Sequence, residues 1–85
     1  MTREQEAAVI NAVLDGDVNA YEYLVKAYEK NVYNLALKMV GNSEDAYDMS
    51  QEAFIKAYNS LHSFRGDSKF SVWLYRIVSN VCLDY

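Results

Sequence analysis

Apolar residues return along this chain at intervals of three and four, the period of a helix packed on one side. The longest stripe runs Tyr21, Leu24, Val25, Tyr28, Val32, Leu35, Ala36, Met39. It predicts a helix from about Asn19 to Val40, roughly 30 Å long at ~1.5 Å per residue. Glu22 and Lys26 form an i, i+4 pair on its opposite face, and Gly41 supplies a left-handed stop. Ile10, Val13 and Leu14 mark a shorter helix from about Arg3 to Asp15. Gly16 ends it, and Asp17 or Asn19 can cap the next. A third helix starts at Ser43 as its cap, with Glu44 and Asp45 at its positive end. It reaches about Leu61, with Ala46, Met49, Ser50, Ala53, Tyr58 and Leu61 turned inward. Residues 62–68 read as a loop with Ser68 as a cap. A fourth helix begins near Lys69 and buries Phe70, Leu74, Ile77, Val78 and Val81. The fold class is all-α, a compact bundle of about four helices.

Composition agrees with this reading. The chain has 85 residues, enough for one domain with a modest core. Apolar residues make up 52%, which argues against disorder. With no proline and three glycines, it lacks the breakers of turn-rich β folds. The lone Cys82 excludes an internal disulfide and a multi-cysteine zinc site. No signal peptide or membrane-length apolar run stands out, so the default localisation is cytoplasmic. The chain stops at Leu83-Asp84-Tyr85 without a helix stop signal, which raises the expectation of a further domain.

The net charge of −4 changes the picture for function. Non-specific affinity for duplex DNA needs Lys and Arg to neutralise phosphates. Any nucleic-acid role here requires segregated charge or a partner. Two surfaces have that segregation. On the third helix Asp45, Asp48, Glu52 and Ile55 share a line, with Gln51 alongside. This is either a solvated face or a docking strip for a basic helix, with Ile55 as the apolar anchor. A metal site is a weaker third option, because carboxylates on one exposed helix rarely form a cage. On the fourth helix Lys69, Trp73, Arg76 and Asn80 form one stripe. It offers a stacking ring, two cations and an amide suited to a base edge; the plainer reading of the same pattern has Trp73 as a core residue and Arg76 as a surface cation. Between them, Ser63, Phe64, Arg65, Gly66, Asp67 and Ser68 form a small polar loop beside the Phe64 and Phe70 rings. Such a loop could pocket an extruded base or be a plain connection. His62 reads as a surface residue and Cys82 as core. No nucleophile–base pair, phosphate loop or ligand cluster is visible, so no enzyme activity, cofactor or metal is expected.

The stretch from Gly41 through Asp45-Ala-Tyr-Asp48-Met-Ser-Gln51-Glu52 to Tyr58, followed by Phe64-Arg-Gly-Asp-Ser-Lys-Phe70-Ser-Val-Trp73-Leu-Tyr-Arg76-Ile-Val-Ser-Asn80, resembles conserved region 2 of bacterial sigma factors. It is closest to the extracytoplasmic-function (ECF) group. The resemblance implies a region 2 domain over residues 1–85, with the domain that reads the minus-thirty-five element absent. It implies that Asp45, Asp48, Gln51, Glu52 and Ile55 clamp the β′ coiled coil of RNA polymerase core. It assigns Ser63 to Ser68 to a base flipped from the non-template strand of promoter DNA at the minus-ten element. Lys69, Trp73, Arg76 and Asn80 would meet the strand where melting begins. An anti-sigma factor is an implied partner. Housekeeping sigma factors carry adjacent tryptophans where this chain has Trp73-Leu74, which implies weaker melting and stricter promoter choice. Two rivals stand beside this reading: a module that binds only a regulator protein, and a metal-dependent enzyme using the third helix's carboxylates.

Overall fold

The computed structural model describes all residues, 1–85, and contains four α-helices and no strand: α1 (Arg3–Leu14), α2 (Tyr21–Val40), α3 (Ser43–Ser60) and α4 (Phe70–Leu83). Single 3₁₀ turns at Val18–Ala20 and Leu61–Ser63 join α1 to α2 and continue α3. Helices α2, α3 and α4 pack mutually, while α1 lies on α2 and reaches the Leu61–Ser63 turn. No helix is long and apolar enough to cross a membrane.

The caps differ in detail from the sequence expectation. Thr2 begins α1 in a reciprocal capping box with Gln5, a Thr-x-x-Gln signal present in the sequence. Asn42, not Ser43, caps α3: its Oδ1 accepts from the Asp45 backbone N–H at 2.9 Å. Asn42 is the residue with extended backbone, and that geometry lets a side chain reach forward to the third amide. Helix α4 has no side-chain cap; extended Lys69 precedes it, and Ser68 does not cap it. Gly41 ends α2 at φ 86°, with its N–H donating to the Leu37 carbonyl at 3.0 Å.

The core gathers Leu24, Val32 and Ala36 of α2, Leu61, and Phe70, Leu74, Val78 and Val81 of α4, with Ile10 and Val13 of α1 closing one side. Helix α3 contributes mainly small residues. Ala46, Ser50, Ala53 and Ala57 follow one line at spacings of four, three and four, all buried. The Ser50 hydroxyl donates to the Ala46 carbonyl at 2.7 Å, so the seam carries no orphaned polar group. Phe54 is also buried, although its position does not fall among the inward residues expected from the pattern. Met39 and Tyr58, expected inward, are 39% and 38% exposed and lie on the flanks. Tyr58 rests its ring edge-on against Tyr21.

Candidate nucleic-acid and protein interface

The segment from Phe64 to Lys69 follows the Leu61–Ser63 turn and leads into α4. Ser63 is tied back to the end of α3 by a 2.6 Å hydrogen bond from its hydroxyl to the Ser60 carbonyl. Phe64 is half-buried and anchors the segment. Its ring meets Phe70 at 5.5 Å, nearly perpendicular, and Trp73 at 5.4 Å. Phe70 and Trp73 are 5.6 Å apart. Offset and edge-on rings at these separations attract beyond their buried area. Trp73 is therefore packed on one side against the loop anchor and remains half-exposed on the other. Phe70 is buried outright and is a core residue, not an open stacking ring.

Gly66 sits at φ 80°, a left-handed conformation that an L side chain adopts only with strain. A Cβ built there meets no atom within 4 Å, so the backbone angle and not crowding requires glycine. Around this turn lies a cavity of about 300 Å³. The loop supplies Phe64, Arg65 and Gly66 to one wall, and α1 supplies Arg3, Glu6 and Asn11 to the other. Ser68 also borders it, while Asp67 and Lys69 are exposed.

Farther along α4, Arg76 is exposed, and Asn80 opens onto a shallow groove with Lys56 and Asn59 of α3. The predicted stripe is thus divided: Trp73 joins the loop, and Asn80 joins α3. The chain forms one ion pair, between Lys26 and Glu22 at 3.9 Å. Arg65, Lys69 and Arg76 have no carboxylate within ion-pair distance.

On α3, Asp48, Gln51, Glu52 and Ile55 are exposed, with Ile55 61% accessible. Asp45 differs from them. Its carboxylate accepts from the Tyr85 hydroxyl and from the Asn42 amide. These two donors, Tyr85 first, hold its carboxyl below the usual carboxylate range. Asp45 is part of the α3 cap as well as the first member of the strip. No three His, Cys, Asp or Glu side chains converge anywhere.

The sequence from Leu24 to Tyr85 matches the family model described as Sigma-70 region 2. The chain belongs to the sigma-70 region 2 family. It is 41% identical to RNA polymerase sigma-H factor of Pseudomonas aeruginosa over 85 residues, all of this chain and 44% of that protein. It is 44% identical to ECF RNA polymerase sigma factor SigW of Bacillus subtilis over 75 residues, 88% of this chain and 40% of that one. It is 45% identical to ECF RNA polymerase sigma-E factor of Escherichia coli over 80 residues, 94% and 41% respectively. This region 2 domain therefore spans less than half the length of these curated relatives. Among solved structures it is similar to an NMR structure of an engineered region 2 of sigmaE in complex with GTAAAA, with a TM-score of 0.89 and 41% identity. That match covers all of this chain and 90% of the other.

Sequence reasoning missed two contributors to the surfaces of this region 2 domain. The α1 wall of the cavity was invisible because α1 is some sixty residues from the loop in sequence. Tyr47 is 58% exposed and borders Asp48 and Glu44. The spacing of Tyr47, Gln51 and Ile55 by fours was the available signal, since it puts two apolar groups on one exposed line.

Proposed function

We propose that this domain is the promoter-recognition and melting module of an ECF sigma factor and that it works within RNA polymerase. The strip Asp48, Gln51, Glu52 and Ile55, flanked by Asp45, docks on the β′ coiled coil. The loop Ser63 to Ser68 holds a base flipped from the non-template strand of the minus-ten element. Lys69, Trp73, Arg76 and Asn80 meet the adjoining strand. One observation carries this reading: a cavity beside a positive-φ glycine, walled by an anchored aromatic and bordered by cations that have no internal partner.

Energetics fit. Unstacking a base costs a few kcal/mol, and stacking on an aromatic returns about 1–3 kcal/mol. A domain of charge −4 gains little from phosphates alone. Polymerase supplies the remaining neutralisation, and α3 presents carboxylates to a basic partner. The greater length of the relatives supports placing residues 1–85 as one domain of a larger factor, with a separate domain for the minus-thirty-five element. An anti-sigma factor covering these surfaces would hold the factor inactive, and the holoenzyme acts where cytoplasmic polymerase does.

Reconstitution with core polymerase and a minus-ten oligonucleotide tests the division of labour. Arg76→Ala should weaken strand binding about tenfold while core binding persists. Trp73→Ala should do the same, but it also removes packing worth about 3 kcal/mol, so the exposed Arg76 is the cleaner probe. Glu52→Lys should abolish capture of the β′ coiled coil with helicity intact by circular dichroism. Undiminished strand binding in both Arg76→Ala and Trp73→Ala would count against the role given to the stripe, whereas no gain in strand binding when the parent domain joins core would favour a module that binds only a regulator protein.

A further inference from the structure

We infer that Glu6 of α1 is a specificity determinant of the loop cavity, its carboxylate selecting a flipped base that carries an exocyclic amine (cytosine, adenine or guanine) against thymine. This rests on the reading that the cavity takes a base.

The cavity has two unlike walls. The loop wall is lined by Phe64, Arg65 and Gly66, and the α1 wall by Glu6 and Asn11. Glu6 is half-buried. One of its oxygens accepts from the Tyr28 hydroxyl. Tyr28 in turn packs its ring against Phe70 at 5.5 Å and Tyr75 at 6.3 Å. A carboxylate has about four lone-pair sites, so this bond orients the group and leaves acceptors for a ligand. Neither Arg3 nor Arg65 pairs with it, although both line the same cavity.

An unneutralised carboxylate repels a phosphate and accepts N–H donors. It therefore suits a base edge and opposes the backbone. Cytosine, adenine and guanine each present an amino group on the Watson–Crick edge, and carboxylates accept from the cytosine amine in known readout geometry. Thymine presents its single N–H between two carbonyl oxygens, which would face the carboxylate with like partial charge. Arg3, Arg65 and the loop amides are donors available to the acceptor atoms on the same edge.

The test uses holoenzyme reconstituted from the full-length factor and core polymerase. Forked promoter probes carry each of the four bases, or an abasic site, at every non-template position of the minus-ten element in turn. With the unsubstituted factor, one position should bind amino-bearing bases about tenfold tighter than thymine, as expected for one charge-assisted hydrogen bond. E6Q, which can donate as well as accept, should reduce that ratio to about twofold or less. Y28F, which frees the carboxylate, should lower it partway. E6D withdraws the same charge by one methylene, should also lower the ratio, and serves if E6Q does not fold. A merely structural Glu6 would change melting temperature and leave the base ratio alone. An unchanged ratio in folded E6Q or E6D overturns the proposal; if Phe64→Ala still abolishes the preference, the base-pocket reading survives it. If no position distinguishes a base from an abasic site, both fail together.

Discussion

Two tyrosine hydroxyls sit at joints between helices and make the fold sensitive to alkali. Tyr21 donates to the Phe54 carbonyl at 2.6 Å, tying α2 to α3. Tyr28 donates to Glu6, tying α2 to α1. Burial raises both phenols well above the ordinary tyrosine value, and the bond to Glu6 raises Tyr28 further. The unfolded chain releases these protons near pH ~10; the folded chain holds them. Their stabilising contribution is therefore complete below that pH and lost as pH rises through the folded values. Thermal melts should be level across neutral pH and fall steeply above about pH 10, with Tyr21→Phe and Tyr28→Phe each less steep than the parent. An equally steep fall in both variants would contradict the assignment. Such long-range tyrosine bonds are illegible in sequence, where Tyr21 and Tyr28 register only as members of an apolar stripe.

At the scale of elements, α3 has two unlike faces. Its inner line of Ala46, Ser50, Ala53 and Ala57 lets α2 and α4 approach closely, and its outer line of Asp48, Gln51, Glu52 and Ile55 stays free. Ala53 is fully buried, so Ala53→Leu must push helices apart, at a cost of about 1–3 kcal/mol. For a domain this size that lowers the melting temperature by about 4–8 °C per kcal/mol. Exposed Ile55→Ala should leave the melting temperature within error while weakening capture of the β′ coiled coil. Equal melting of Ala53→Leu and the parent would show a looser seam than described. Helix existence and the two faces of α3 were readable from its 3.6 period. The choice of Asn42 over Ser43 as cap was not, because both residues cap well and only the backbone angles separate them.

For the whole molecule, charge placement matters more than its sum. Twelve acidic against eight basic residues give −4, yet Arg65, Lys69 and Arg76 lie exposed and unpaired on the loop and α4 while α3 carries the strip of carboxylates. Binding of single strands should weaken with salt, and substituting any one of these cations that meets a phosphate with Ala should lower the slope of log affinity against log salt by about 0.7. A slope unchanged by all three substitutions would mean that no phosphate contact passes through this edge.

The sequence alone determined that the chain is helical, where its four helices lie, and that carboxylates on α3 and the Phe64–Arg76 segment form separate surfaces. Those features follow from local period and residue chemistry, which act within a few turns. Tertiary packing alone decided that Trp73 leans on Phe64, that Asn80 turns to α3, and that α1 returns to close the loop cavity with Glu6. Each of these depends on helices distant in sequence meeting at a fixed angle, and burial of the shared core sets that angle.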